Sequence, residues 1–285
     1  MKKPGFDFHT HSTASDGDLT PTELAAGAAR AGLTGLALTD HDTVDGLEEF
    51  LEAARTRGLI AVGGVEISLE HPGTMHLLGY NVAGGPAVPA ALSRLKAFRL
   101  ERNRAMHAKL VQLGYDLDWE ELSAKSGGGQ LGRPHFAALL IEKGYFAAWE
   151  EVFDQLLGKG RPGYIDKKRF SPEEGLAVIR GAGWAPVLAH PVTLGLTPAQ
   201  WPDFLADLRA KGLLGLEVRH PSLSDDETEF FLGLARRFEL IPTAGSDFHG
   251  AAKPDIGLDW ARDHNPSGAE ALEGLRHQLS RSQAG

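Results

Sequence analysis

Short apolar runs alternate with amphipathic stretches along most of the chain. Runs typical of buried strands occur at residues 36–39, 59–65, 185–189, 214–218 and 240–244. Residues 6–10 alternate as in a strand, and residues 75–82 are predicted as a further strand. Helical periodicity separates them, as in residues 21–31 after the capping residue Thr20 and 172–181 after Ser171. Strands that alternate with helices predict an α/β fold built on a parallel sheet, open or closed.

The middle of the chain departs from this alternation. From residue 89 to about 160 the periodicity is helical, with a break at Gly127-Gly128-Gly129. We interpret this stretch as a helical insertion. The expected organisation is a core of residues 1–86 and 165–285, with residues 87–164 as an insertion that contributes to the substrate pocket.

Composition limits the possible functions. The 285 residues are 42% hydrophobic, enough for a sizeable core, and no apolar run approaches the ~20 residues of a membrane span. The net charge of -9 argues against binding duplex DNA through a broad basic surface. The lack of cysteine excludes disulfides and thiolate metal sites. We expect a cytoplasmic protein that does not associate with a membrane and has no obligatory protein partner.

Side chains that bind metals follow the predicted strands. His9 and His11 alternate on one strand, so both imidazoles point to one face. Taken singly, each such residue has a simpler explanation, such as a helix cap or a buried structural histidine. Because the carboxyl ends of barrel strands converge at one mouth, their joint occurrence predicts one metal centre. The candidates are His9, His11, Asp16, His41, Glu66, His76, His190, Asp247 and His249.

This donor set limits the kind of metal without selecting one. Six imidazoles and three carboxylates without a thiol suit manganese, iron or zinc. The set is too large for one ion, so we expect two or three divalent cations.

The same residues stand in motifs that resemble the PHP (polymerase and histidinol phosphatase) family. The resemblance implies a distorted (β/α)7 barrel with a trinuclear metal site, manganese being the first expectation. His9, His11 and Asp247 would hold the first ion, His76 and His190 the second with Glu66 bridging, and Asp16, His41 and His249 the third. The motifs are His9-Thr10-His11-Ser12, Ser15-Asp16-Gly17, Thr39-Asp40-His41, Gly64-Val65-Glu66, Ala189-His190-Pro191 and Gly245-Ser246-Asp247-Phe248-His249.

Within that family the chain is most similar to a stand-alone branch with a helical insertion. The segments Arg99-Leu100-Glu101-Arg102, Gly132-Arg133-Pro134-His135-Phe136 and Gly160-Arg161-Pro162-Gly163-Tyr164 carry this similarity. It implies hydrolysis of nucleotide 3',5'-bisphosphates or 5'-monophosphates, or of short RNA from its 5' end, by metal-activated hydroxide. The residues expected in catalysis are Asp40, Glu66 and His249, with Asp40 orienting a histidine ligand.

Arginines are the expected groups for substrate phosphates, because the guanidinium fork matches phosphate oxygens. Arg99 and Arg102 lie three apart on a predicted helix and therefore share a face. The simpler explanation is solvated surface charge for the arginines and a structural role for a histidine in a proline turn. The substrate-binding candidates are Arg99, Arg102, Arg133, His135, Arg161 and His220.

Other functions stay open. A histidinol-phosphate phosphatase needs the same metals and differs only in its substrate pocket. A non-catalytic PHP module that binds a partner or nucleic acid would have lost ligands, and none is lost here. A proofreading accessory would require a polymerase domain, for which 285 residues leave no room.

Overall fold

A computed structural model describes residues 5–84, 91–126, 131–265 and 267–284. The chain divides into two compact units, one formed by Met1–Ala90 with Phe170–Gly285 and the other by Ala91–Arg169. These boundaries fall a few residues after positions 86 and 164, the division expected from the sequence. None of the helices in the described parts is long and apolar enough to cross a membrane.

The first unit contains a seven-stranded sheet whose strands are adjacent in chain order. The first three strands are parallel to one another, as are the last three, and the fourth is antiparallel to both of its neighbours. The strands are β1 (Gly5–Asp7), β2 (Leu33–Leu38), β3 (Ile60–Leu69), β4 (Met75–Tyr80), β5 (Ala185–Leu188), β6 (Gly215–Arg219) and β7 (Ile241–Ala244).

The expectation of a parallel sheet is therefore wrong for β4. Only residues 70–74 join β3 to β4, and a parallel neighbour needs a crossover of a dozen residues or more. The short link forces a hairpin. The reversal brings the beginning of β4 to the edge at which the parallel strands end, and His76 lies there, paired with Ser68 of β3.

The predicted α/β fold with seven strands is confirmed, but the sheet ladder is not closed. Among the described residues, β1 and β7 form no continuous ladder. Phe8 N donates to Ala244 O over 3.1 Å, and Thr10 and Phe248 form an isolated parallel bridge beyond the two strand ends. These contacts bring the segments that follow β1 and β7 together.

Helices cover this sheet, and local capping explains where several begin. Thr20 and Glu23 form a capping box at the first helix, as do Ser171 and Glu174 at the helix before β5. In chain-wide numbering, with α3–α6 in the second unit, the helices of the first unit are α1 (Pro21–Ala31), α2 (Leu47–Arg55), α7 (Pro172–Gly181), α8 (Trp201–Ala210), α9 (Asp225–Arg237), α10 (Trp260–His264) and α11 (Gly268–Ala284).

The predicted insertion is mainly helical, as expected, and has its own core. Buried Met106, Leu110, Phe136, Leu140 and Leu157 form the centre of that core. A π-helical turn, Phe153–Leu157, continues its last helix. The helices are α3 (Leu92–Gln112), α4 (Trp119–Ala124), α5 (Arg133–Glu142) and α6 (Trp149–Val152).

Candidate metal centre

Glu66, a fully buried residue of β3, has one carboxylate oxygen between two imidazoles. Its Oε1 lies 2.7 Å from His76 Nδ1 and 2.9 Å from His190 Nε2. The two imidazole nitrogens are 3.2 Å apart. His76 comes from the reversed strand β4 and His190 from the end of β5, so the hairpin is needed to form this group.

The second oxygen of Glu66 faces a different group of side chains. Its Oε2 lies 3.4 Å from His9 Nε2 and 3.3 Å from His11 Nε2. Asp247 Oδ1 lies 3.5 Å and 3.2 Å from the same two nitrogens. His9, His11, Glu66 and Asp247 are all buried and can direct one ligand atom each at a common ion.

A third group adjoins the second through His11. Asp16 Oδ1 lies 3.3 Å from His249 Nε2, and its Oδ2 lies 3.8 Å from His41 Nε2. His41 Nδ1 is in turn 2.9 Å from Glu66 Oε2. All nine side chains predicted as ligands are thus brought into one cluster, although their assignment to particular ions stays a prediction.

Several polar atoms in this cluster have no hydrogen-bond partner among the described residues. They are buried and approach one another without hydrogen-bond geometry. Buried polar atoms without partners are costly, so a set that converges on shared points is suited to coordinating cations. These atoms are His9 Nε2, His11 Nε2, His41 Nδ1 and Glu66 Oε2.

The charges within the cluster are complementary. Burial alone would raise the pKa of Glu66, but nearby imidazoles, His41 first among them, hold that pKa well below its usual range. Imidazoles likewise outweigh burial and lower the pKa values of Asp16 and Asp247 well below their usual range. Burial opposes protonation of His11, but Asp247 and Glu66 raise its pKa to about 10. A bound cation would displace such protons.

The backbone is strained where two of these side chains leave their strands. His190 has a φ of 22° and Asp247 a φ of 52°, which non-glycine residues rarely adopt. Gly245 lies where the chain leaves β7, and a Cβ there would come within 2.2 Å of His9 Cβ. Backbone strain of this kind clusters at functional sites.

Glu217 is a site residue that the sequence reasoning did not identify. It is fully buried in β6, with Oε1 at 3.1 Å from His9 Nδ1. Its Oε2 accepts the backbone N–H of His190 over 2.7 Å. The signal in the sequence is a lone carboxylate inside an apolar strand, since a buried carboxylate requires partners.

Asp40 lies beside the cluster, but its carboxylate binds serines. Its Oδ1 accepts the backbone N–H of Ser12 and the Ser15 hydroxyl, and its Oδ2 accepts the Ser12 hydroxyl. Ser15 Oγ lies 3.5 Å from His11 Nδ1. The predicted orientation of a histidine by Asp40 would therefore act through Ser15.

His220 and Lys253 adjoin Asp247. His220 Nδ1 accepts the backbone N–H of Ser222 over 3.1 Å, which leaves the hydrogen of a neutral ring on Nε2. That nitrogen lies 3.4 Å from Asp247 Oδ2. Lys253, which the sequence reasoning missed, makes a close ion pair with the same oxygen.

The second unit contains a cluster of arginines. Arg102 is only 7% exposed, and its Nε has no partner among the described residues. Burial, followed by the like charges of Arg99 and Arg133, lowers the pKa of Arg102 to about 10. Arg169, which was not predicted, adds to this effect. Arg133 also lies over the ring of Tyr164, 5.6 Å from its centroid.

The other two candidates in this unit behave differently. His135 Nδ1 accepts the backbone N–H of Gly132 over 3.0 Å at the beginning of α5, and a Cβ on Gly132 would lie 3.8 Å from Arg99 Nη1. His135 therefore adjoins the arginine cluster. Arg161 is exposed in the loop after the π-helical turn, and the described contacts do not bring it into the cluster.

Comparisons with known proteins agree with this geometry. The family model described as the PHP domain matches residues 7–157. A 3',5'-nucleoside bisphosphate phosphatase of Chromobacterium violaceum is 36% identical over 88% of this chain and 90% of its own. A 5'-3' exoribonuclease of Haemophilus influenzae is 32% identical over 86% of this chain and 89% of its own.

A solved structure is similar throughout. It is described as a metal-dependent phosphoesterase from Bifidobacterium adolescentis, and it covers 96% of both chains with a TM-score of 0.83 and 30% identity. The chain therefore belongs to the PHP family. The predicted class, an enzyme that hydrolyses phosphoric esters, is confirmed by these relatives.

Proposed function

We propose that this protein hydrolyses phosphate esters of nucleotides, either 3',5'-bisphosphates or 5'-monophosphates, or degrades short RNA from its 5' end. The observation that carries the proposal is the convergence of nine imidazole and carboxylate side chains around Glu66. All nine donors come from one chain, so we expect the reaction to need no obligatory protein partner.

The geometry supports two or three divalent cations. We assign His9, His11 and Asp247 to the first, His76 and His190 to the second, and Asp16, His41 and His249 to the third. Such ions, when bound, activate water for attack on phosphorus and offset the charge of the phosphoryl oxygens. Manganese is the first candidate, with iron or zinc as alternatives, because these donors suit all three.

The protein groups around these ligands have separate roles in the proposal. Glu66 faces one group of imidazoles with each oxygen, which supports a bridging position between two ions. Asp40 holds the loop from Ser12 to Ser15 beside the cluster. His220 directs its Nε2–H at Asp247 Oδ2 over 3.4 Å, and this long contact can be shared with a phosphoryl or sugar oxygen of the substrate.

The arginine cluster supports a substrate with more than one phosphate. Arg102 is buried beside the like charges of Arg99 and Arg133, and its Nε has no hydrogen-bond partner among the described residues, so an anion bound there would offset the cost of burying its charge. Guanidinium groups bind phosphate oxygens in pairs. A nucleotide 3',5'-bisphosphate or an RNA backbone carries a second anion of this kind, which favours these two substrate classes over a 5'-monophosphate.

The test is phosphate release from adenosine 3',5'-bisphosphate with Mn²⁺, run beside AMP, histidinol phosphate and a short 5'-phosphorylated RNA. We expect turnover of the bisphosphate or of RNA from its 5' end, and we expect His9→Ala to abolish it. Turnover of histidinol phosphate alone would contradict the substrate class. No turnover by metal-loaded protein would favour a non-catalytic binding module.

A further inference from the structure

The Glu217 carboxylate accepts hydrogen bonds from two segments that supply ligands to different metal groups. His9 follows β1 and belongs to the group with Asp247, whereas His190 follows β5 and belongs to the group with His76. Glu217 binds the ring of one and the backbone of the other. One buried residue of β6 therefore links two of the proposed ion sites.

The contact with His9 determines which ring nitrogen can bind a metal. Glu217 Oε1 lies 3.1 Å from His9 Nδ1, so the hydrogen on Nδ1 is held by a carboxylate. The opposite nitrogen, Nε2, points at Glu66 Oε2 and Asp247 Oδ1. Carboxylates that fix the tautomer of a ligating histidine in this way also raise its basicity as a ligand.

The contact with His190 holds a strained part of the backbone. His190 has a φ of 22° and a ψ of 66°, and its amide N–H donates to Glu217 Oε2 over 2.7 Å. The same residue directs its Nε2 at Glu66 Oε1 over 2.9 Å. The Glu217 contact therefore fixes a peptide whose conformation determines where the His190 ring points.

Only a carboxylate satisfies both donors. An amide in place of Glu217 offers one oxygen and one NH₂ group, and the NH₂ would face a donor on one side. It would either lose the His190 N–H bond or force the hydrogen of the His9 ring onto Nε2. There is little room for another arrangement, because a Cβ on Gly245 would lie 2.6 Å from Glu217 Oε1.

We propose that Glu217 is a positioning residue that sets the His9 tautomer and the His190 backbone, and thereby tunes the metal affinity of two ion sites together. The inference rests on the proposed function, since it assumes that the cluster binds metal. It assigns Glu217 no contact with substrate.

The test measures Mn²⁺ affinity by competition with a chelating dye for the wild type, Glu217→Gln and a matched control, Glu70→Gln. Glu70 is exposed and directly follows β3. We expect Glu217→Gln to lose roughly 10–100-fold in affinity at the sites of His9 and His190, as is typical when such a partner is removed. The ion held by Asp16, His41 and His249 should keep its affinity, and the control should match the wild type.

Wild-type affinity at every site of a folded Glu217→Gln variant would overturn the inference while leaving the proposed function intact. No Mn²⁺ binding by the wild type would overturn both. A second measurement does not depend on whether the variant folds. Long-range ¹H–¹⁵N correlations of the Zn²⁺-loaded wild type should show His9 with a hydrogen on Nδ1. A hydrogen on Nε2 instead would overturn the inference.

Discussion

His76 Nδ1 lies 2.7 Å from Glu66 Oε1, across the antiparallel pair of β3 and β4. The contact exists because β4 is antiparallel to β3 and β5, the two strands with which it pairs. Its first residues therefore share an edge with the carboxyl ends of the parallel strands. The hairpin thus supplies His76 from the beginning of a strand. In a strictly parallel sheet, this ligand would have to come from the carboxyl end of a further strand.

Replacing Glu66 by Gln should remove the proposed link between two ion sites. The amide lacks the negative charge that five imidazoles surround, and it cannot bridge cations with both of its polar atoms. We expect Mn²⁺ affinity to fall by more than the roughly 10–100-fold typical of residues outside the ligand set. Metal content by elemental analysis and phosphate release would measure this. Full metal content and activity in Glu66→Gln, as in the control Glu70→Gln, would exclude the bridging role.

Replacing Gly245 by Ala should disturb both stability and metal binding. The new Cβ would lie 2.2 Å from His9 Cβ, so the His9 segment must shift. Overpacking of this kind typically costs about 1–3 kcal/mol in the free energy of unfolding. Urea denaturation and Mn²⁺ titration would check the two effects.

The matched control for this change is Gly233→Ala. Gly233 lies in α9, and a Cβ there meets nothing within 4 Å. Because alanine favours a helix over glycine, this variant should gain about 0.5–1 kcal/mol. Equal stability changes in the two variants would contradict the close approach at Gly245.

Replacing Arg102 by Met should weaken binding of substrates with a second phosphate. A charge-assisted hydrogen bond contributes about 1.5–3 kcal/mol, so KM for the bisphosphate or RNA should rise roughly 10–100-fold. Stability should be unchanged or higher, because a buried cation beside like charges is unfavourable. Steady-state kinetics and thermal denaturation would test this.

Arg104→Met provides the control on the same helix. Arg104 is exposed and lies over the ring of Trp119, 4.8 Å from its centroid. Its loss should cost about 0.5–1 kcal/mol of stability and leave KM unchanged. A rise in KM for Arg104→Met equal to that for Arg102→Met would point to general surface charge in place of a specific anion site.

Metal binding should strengthen with pH. The pKa of His11, about 10 in the folded metal-free protein, lies above its ordinary value of 6.5, because Asp247 and Glu66 outweigh the opposing effect of burial. Mn²⁺ needs the neutral ring and must displace this proton, so its apparent affinity should rise from pH 6.5 to about pH 10. Calorimetry in buffers of different ionisation enthalpy should detect proton release. Binding without proton release at pH 7 would contradict the raised pKa.

The same pKa predicts how the metal-free protein responds to pH. A folded pKa above the unfolded value adds stability that is fully present below pH 6.5 and is lost as pH rises through about 10. Denaturant midpoints of chelator-treated protein should therefore fall over this range from the contribution of His11. Bound metal should reverse this trend, because binding to the folded state becomes stronger.

The sequence by itself determined the elements and the chemistry of the site. Apolar runs followed directly by His or carboxylate residues, as at His41 after β2 and His190 after β5, show which side chains end a strand. Residues at the carboxyl ends of parallel strands lie at the same edge of the sheet, whatever the details of side-chain packing. Capping residues such as Thr20 and Ser171 likewise act locally, and the helices begin where they predict.

Only the tertiary structure decided the contacts between distant segments. Glu217 is a lone carboxylate in an apolar strand, and its role depends on His9 and His190 lying beside it in space. The short link of residues 70–74 requires an antiparallel β4 only because β4 pairs with β3, and the tertiary structure shows that pairing. The sequence made both Arg102 and Arg161 substrate-binding candidates, yet of these two only Arg102 is buried beside other arginines. Periodicity and capping act over a few residues, whereas these relationships arise from packing between residues far apart in the chain.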